Sequence, residues 1–386
     1  MRLCLVVPGF SASEDDWCIP SLHHLVHRLA AEHDVLVLAL RHPAQRTEYR
    51  FFGARVRALG AGTRTGVSRL AMLARARAEL RRAHHRDPFD AIHGLWADEA
   101  GFVAAATGRT LGVRSVVSVM GGELVGLEDI GYGTQLGRTG RWLVRRSLHA
   151  ASVATIGSRS LEAPVRALRP RGPLVWAPLG VDTSLFRIDG DAAPLTGEPC
   201  LLQVASLAPV KGQRLLLEAF AGVSRKLPHA HLHLVGEGPE RGTLERSIRE
   251  LLLDGKVTLH GAIPHHLLPP YYRAADLHIV SSRFESQSMA TVEAAACGTA
   301  TVGTAVGILP EMGMATAPPG DSAGLAASVL GVLQAPGTAR ELGERARAWV
   351  QAKLTLERCV DRLVSLYSLS GGGLPGDGTT GSASAE

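Results

Sequence analysis

Two glutamates, Glu285 and Glu293, stand eight positions apart in the segment "ESQSMATVEAAACGTATVG", which has no other charged residue. Glu285 follows the apolar run "DLHIVSS", which reads as a strand ending near Ser282. A helix is expected to start around Ser288, capped by Ser286 or Ser288, and to stop at Gly298. Glu285 then lies in the loop and Glu293 in the second helical turn, both near the helix N-terminus. Such a terminus attracts phosphate, and carboxylates on either side could grip hydroxyls of the same ligand. Spacing alone favours the plainer reading, in which Glu285 is a loop charge and Glu293 a surface helical charge.

The elements that must position these acids alternate along the chain. In the first half "RLCLVV", "DVLVLAL", "DAIHGLW", "RSVVSVM" and "ASVATIG" read as strands. Amphipathic stretches such as "SLHHLVHRLAAEH" and "SRLAMLARARAELRRAHHR" separate them. In the second half "PCLLQVASL", "AHLHLVGEG", "KVTLHGAI", "DLHIVSS" and "ATVGTA" repeat the pattern. Strands apolar on both faces and joined by helices make a parallel sheet with right-handed crossovers. The fold class expected is α/β, with two Rossmann-like, doubly wound parallel-sheet domains facing a central cleft. Residues 1–180 form the first domain, 181–198 a linker rich in Pro, Gly and Asp, and 199–353 the second. A helix over 354–370 is expected to return to the first domain, and the apolar-poor tail 371–386 to be disordered. Parallel sheets bind ligands at the carboxyl ends of their strands, so the cleft is where chemistry belongs.

A chain of 386 residues with 46% hydrophobic and 20% charged residues suits two soluble globular domains. The first apolar run, Leu3 to Val7, is stopped by Pro8 and Gly9, which makes it a buried strand rather than a leader. The expected location is cytoplasmic, with the inner face of the membrane as a possible station. Five scattered cysteines without a C-x-x-C pair indicate neither a disulfide framework nor zinc. A net charge of +5 with 5% aromatic residues does not point to nucleic acid.

The stretch "YYRAADLHIVSSRFESQSMATVEAAACGTATVGTAVGILPE" resembles the signature of retaining, nucleotide-sugar-dependent glycosyltransferases of family four. Glu285 and Glu293 match that family's E-x(7)-E acids. "LQVASLAPVKGQRLLLEAF", "HLVGEGPER", "PLGVDTSLF" and "PGFSASEDDWCIPSLHHLVHRLA" continue the likeness over roughly residues 1–370. The resemblance implies the two-domain GT-B fold and hexosyl transfer with no cofactor or metal beyond the nucleotide-diphosphate-sugar donor. It implies that Glu285 meets hydroxyls of the transferred sugar and Glu293 the ribose. Lys211 and the backbone near Gln287, Ser288 and Met289 would meet the diphosphate, with Gly9 and Gly236 lining the nucleotide site. The acceptor would be a carbohydrate or a lipid-linked sugar.

The chain departs from the family's pattern in three places. Ser206 stands where an arginine is common, and Ser286, Gln287 and Ser288 replace a Gly-Phe-Gly-like turn. Met120 takes the place of a first-domain histidine, which leaves Glu123, then His93, as the expected first-domain catalytic groups. The alternatives are a catalytically silent sugar-nucleotide binder, or another reaction on the same fold such as sugar-nucleotide epimerisation. A nicotinamide enzyme is disfavoured because no G-x-G-x-x-G follows Val7.

Other features have plain readings. "DGD" at Asp189 to Asp191 is a solvated turn, and "GEGPERG" is either a phosphate-lining loop or a turn. The histidine pairs carry no metal-like arrangement with acids. The arginines between Arg69 and Arg86 fit a solvated helix packed on the sheet, with peripheral contact to anionic lipid the less favoured reading.

Overall fold

The computed structural model describes residues 1–11, 13, 19–62 and 66–368. The tail expected to be disordered, Cys18 and most of the loop after Phe10 lie outside the described residues.

The first sheet contains β1 (Arg2–Gly9), β2 (Asp34–His42), β3 (Thr47–Phe51), β4 (Ala54–Ala58), β5 (Ala91–Leu95), β6 (Arg114–Val119), β7 (Val153–Ile156) and β8 (Leu174–Trp176). Their order is β3-β4-β2-β1-β5-β6-β7-β8, and all neighbours are parallel except β3 against β4. The helices are α1 (Pro20–Ala30), α2 (Gly66–Arg86), α3 (Glu99–Leu111), α4 (Arg138–Ala150) and α5 (Glu162–Ala167). β1 shows why the layers form. Leu3, Leu5 and Val7 point into one core, while Cys4 and Val6 point into another with Met72 and Leu80 of α2. The period of two buries the strand on both sides. Of these strands, β3, β4 and β8 had no counterpart in the sequence reading. The turn at Phe52 and Gly53 takes positive φ at both residues and joins β3 to β4 as a hairpin.

The second sheet contains β9 (Cys200–Val204), β10 (His231–Val235), β11 (Val257–Gly261), β12 (Leu277–Val280), β13 (Thr301–Thr304) and β14 (Ala315–Ala317). Its order is β11-β10-β9-β12-β13-β14, with the strand pairs parallel. The helices that follow the first domain are α6 (Gln213–Lys226), α7 (Arg241–Glu250), α8 (Pro269–Ala274), α9 (Met289–Ala296), α10 (Ser322–Gln334), α11 (Thr338–Lys353) and α12 (Leu356–Ser368). α6 packs with α7 and α10, and α9 packs with α8 and α11. Strand order reverses between β9 and β12, so the loops leaving these two central strands diverge to opposite faces and open a crevice between them.

The chain crosses between domains twice, side by side. The Val181 N–H donates to the Leu354 carbonyl and the Leu356 N–H to the Val181 carbonyl. A Cβ on Gly180 would stand 2.6 Å from the Leu356 Cα, so only glycine allows this approach. α12 then packs on the first domain, where Val360, Leu363, Leu366 and Tyr367 join the core of Leu3, Leu5 and α1.

Candidate active site

The crevice between β9 and β12 holds two of the expected residues in direct contact. Lys211 lies on a short turn, Pro209–Lys211, that follows β9, and Glu285 lies on the loop that follows β12. Lys211 Nζ donates to Glu285 Oε1 at 2.7 Å, and the Ser282 hydroxyl donates to the same oxygen at 2.6 Å. The two loops are bound together beneath the pair. Ser281 Oγ donates to the Lys211 carbonyl at 2.8 Å, and the Arg283 N–H to the Val210 carbonyl at 2.8 Å. Glu285 is therefore engaged by the lysine that was expected to meet phosphate.

This pair stands between two cavities. One, of about 230 Å³, is lined by Trp96, Met120 and Thr155 of the first domain and by Lys211, Glu285 and Met289 of the second. The other, of about 470 Å³, is lined by Gln203, Ser206, Lys211, Glu285 and Met289, with Ile19 and Pro20 closing it from the first domain. Ser206 thus borders the space where a second cation would be useful.

α9 begins beside the pair. Its first-turn N–H groups have no partner inside the helix and carry the positive end of its dipole. Ser288 precedes it at φ 76°, in the left-handed region that glycine usually fills, and its side chain caps no backbone group. Its hydroxyl meets Thr291 Oγ1 at 2.9 Å instead. The Gln287 side chain reaches back to the domain junction, accepting from the Leu179 N–H at 2.9 Å and donating to the Leu179 carbonyl at 2.7 Å. Ser286 Oγ donates to the Met120 carbonyl, and Arg283 pairs with Asp129. The serine-rich loop that replaces the glycine turn therefore ties the two domains together.

Glu293 is only 5% exposed and lines neither cavity. Its Oε1 accepts from His265 Nε2 at 2.8 Å and its Oε2 from the Tyr272 hydroxyl at 2.9 Å. Burial opposes its charge, but the hydrogen bond and charge of His265, with the Tyr272 hydroxyl, hold the carboxyl below its usual range. The surface-charge alternative is excluded by this burial. His265 itself packs on Phe186 and faces His24 of α1 across the domain boundary, with ring centroids 5.0 Å and 5.3 Å away.

The first-domain candidates sit behind the cleft rather than in it. His93 is 1% exposed, with Nδ1 at 2.7 Å from the Tyr367 hydroxyl and Nε2 at 2.7 Å from Ser118 Oγ. Burial pushes its imidazole down to about 3. Glu123, also 1% exposed, accepts from the N–H groups of Ala97, Met120 and Gly121. Burial and the neighbouring Asp98 push its carboxyl up to about 7, against the pull of those N–H groups. Because its oxygens are turned inward onto backbone donors, Glu123 positions Met120 and Gly121, and the expectation that it or His93 touches the reacting sugar does not fit this geometry.

Gly9 ends β1, where the pairing with β2 shifts register toward His42. Gly236 follows β10 at φ 138°, and a Cβ there would lie 1.9 Å from the Ala205 carbonyl oxygen. Close packing of two backbones accounts for that glycine. Sequence reasoning missed Trp96, which lines the smaller cavity at φ 78°, and Tyr132, whose ring lies against Gly122. The position of Trp96 just past a strand was the available signal. Among the described residues no group of His, Cys, Asp and Glu is arranged to hold a metal.

The chain matches the family model for glycosyl transferases group 1 over residues 188–349 and that for a glycosyl transferase 4-like domain over residues 19–180. It is 30% identical over 218 residues to the GDP-mannose-dependent alpha-(1-6)-phosphatidylinositol monomannoside mannosyltransferase of Mycolicibacterium smegmatis, covering 53% of this chain and 55% of that one. The matched region is thus about half the length of that relative. Sucrose-phosphate synthase of Thermosynechococcus elongatus has the same fold, with a TM-score of 0.77 at 24% identity over 95% of this chain and 98% of its own. HepE of Anabaena, in complex with UDP-glucose, aligns with a TM-score of 0.73 at 18% identity over 96% of this chain and 100% of its own. With both domains matched in order and the GT-B architecture in place, the chain belongs to the group 1 glycosyltransferases, with a glycosyl transferase 4-like first domain.

Proposed function

We propose that the protein is a retaining glycosyltransferase that moves a sugar from a nucleoside diphosphate to an acceptor hydroxyl without a divalent metal. The observation that carries this reading is the Lys211–Glu285 pair at the switch point of the second sheet, facing the first domain across a cavity. On donor binding Lys211 turns to the diphosphate, with the α9 N-terminus beside it, and Glu285 is released to hydroxyls of the sugar. Fixed positive groups then stabilise the departing phosphate. The acceptor oxygen bonds to the anomeric carbon as that carbon's bond to the phosphate oxygen breaks. The acceptor proton passes to the same phosphate oxygen, so attack and departure share one face of the sugar.

Glu293 reaches the ribose by exchanging its His265 partner for ribose hydroxyls. The acceptor is a carbohydrate or a lipid-linked sugar, in keeping with the phosphatidylinositol monomannoside in the name of the mycolicibacterial relative. Guanosine and uridine diphosphates are the donors' nucleotides to test, since one relative is named for GDP-mannose and one neighbour holds UDP-glucose. Calorimetry with nucleoside diphosphates and nucleosides, followed by transfer assays with and without chelator, tests the reading. Proton spectra of the product report the anomeric configuration. An inverted product, or transfer abolished by chelation, overturns the corresponding part of the proposal.

A further inference from the structure

The helices α2, α3 and α4 lie side by side on one face of the first sheet, with α3 packed between the other two. Together they carry eleven arginines and two glutamates. Both glutamates are buried and ion-paired, Glu79 with Arg82 and Glu99 with Arg41 and Arg69. No carboxylate of these three helices is exposed to balance the remaining arginines. The charges are contiguous across the helices: Arg77 of α2 reaches Thr110 of α3, and Arg81 and Arg109 both bear on Arg77. On α4, Arg145 and Arg146 are exposed, and Arg146 lies over the ring of Trp142.

Apolar side chains stand exposed on the same face. Val67 is 84% exposed, Leu70 58% and Trp142 47%, although Trp142 also packs against Phe102 of α3. All three lie near the N-terminal ends of α2 and α4. In a parallel sheet each helix runs opposite to the strands, so these ends sit beside the carboxyl ends of the strands, at the rim of the cleft.

From this arrangement we infer that the α2–α3–α4 face is a docking surface for an anionic lipid bilayer, with the aliphatic and Trp142 side chains entering the interface and the arginines meeting headgroups. Such a surface needs apolar tips as well as cations, and Trp prefers the boundary between headgroups and hydrocarbon. Aliphatic tips are what a nucleic-acid face would not need. Among the described residues no helix is long and apolar enough to cross a membrane. Docked this way, the cleft mouth faces the bilayer. The inference is independent of the donor assignment, since none of these side chains lines the two cavities.

The test is sedimentation of the full chain with vesicles of phosphatidylcholine alone or mixed with phosphatidylglycerol. Binding is expected only to the anionic vesicles and weakens as salt shortens the Debye length to about 8 Å. Arg77→Gln, Arg81→Gln and Arg145→Gln together lower the partition coefficient on the order of a hundredfold. Trp142→Ser lowers it about tenfold while keeping the salt dependence. Arg340→Gln with Arg345→Gln, on α11 of the second domain, leaves it unchanged. Melting curves confirm that each variant folds, and nucleoside diphosphate binding is followed in parallel. No sedimentation with anionic vesicles at low salt, an unaffected triple variant, or displacement from vesicles by duplex DNA overturns the inference.

Discussion

Lys211 and Glu285, 74 positions apart in sequence, form a 2.7 Å ion pair at the carboxyl ends of adjacent central strands. The positive charge suited to a diphosphate is thereby held, before any ligand arrives, by the carboxylate suited to the sugar. Breaking the pair is part of binding the donor.

Removing either partner therefore has opposite effects on nucleoside diphosphate affinity. Lys211→Ala is expected to lower it tenfold to a hundredfold, as charge-assisted contacts contribute about 1.5–3 kcal/mol each. Affinity for the nucleoside alone changes much less. Glu285→Gln leaves diphosphate affinity equal or tighter, while turnover falls. Ser206→Arg, from the wall of the larger cavity, partly restores binding to the alanine variant. Calorimetry on the variants decides the matter; equal loss in Lys211→Ala and Glu285→Gln would place the phosphate site elsewhere.

His265 competes with the ribose for Glu293 if the exchange proposed above occurs. His265→Ala then tightens nucleoside binding, whereas Glu293→Gln weakens it. A His265→Ala variant with weaker nucleoside binding means that the histidine contacts the ligand rather than yielding to it.

The Gln287 side chain satisfies both backbone groups of Leu179, which is itself buried at the domain junction. Gln287→Ala leaves a donor and an acceptor without their partner, each costing about 1–3 kcal/mol. Chemical denaturation should show a loss of that order. Gln287→Glu is worse than Gln287→Ala at neutral pH, because it sets a carboxylate against a carbonyl oxygen.

Ser288 holds a left-handed conformation at φ 76°. Ser288→Gly relieves it and stays within about 1 kcal/mol of the wild type, since lost strain offsets the added freedom of the unfolded chain. Ser288→Val, branched at Cβ, loses about 2 kcal/mol or more. Thermal melts that rank the two variants the other way contradict the strain.

The acid limb of stability should carry the signature of His93. Its imidazole is held near 3 by burial, below the 6.5 of a free side chain, so the unfolded state takes up the proton first. Stability from this site is intact above about pH 6.5 and is lost progressively down to about pH 3, by about 1.4 kcal/mol per pH unit. Glu123, raised to about 7, acts in the opposite sense between its free value and that pH, because there the folded state binds the extra proton. The two slopes oppose each other between about pH 4.5 and 6.5, and His93 alone remains below. A His93→Gln variant measured against the wild type by denaturation at several pH values isolates the His93 slope.

Local sequence determined the alternation of elements and hence the fold class. The five strands named in the second half correspond to β9 through β13, and α9 starts one residue after the serine named for it and stops before Gly298. These are properties of neighbours in the chain: apolar runs buried on both faces, helix formers, and a glycine that breaks the helix. The β3–β4 hairpin escaped because Arg50, Arg55 and Arg57 alternate with its apolar residues and leave no continuous apolar run, and pairing with β2 is what buries Val56. The spacing of Glu285 and Glu293 was legible, but their partners were not. Lys211 meets Glu285 only because β9 and β12 are neighbours in the sheet, and Glu293 turns inward only because α8 brings Tyr272 and the preceding loop brings His265. The fates of His93 and Glu123 were likewise decided by α12 and by the turn after β6, which the chain brings up from 274 and 3 residues away. A side chain's type sets which bonds it can make. Which bonds it makes depends on strand order, because at each ionisable group burial and the partner within reach determine whether charge is favoured.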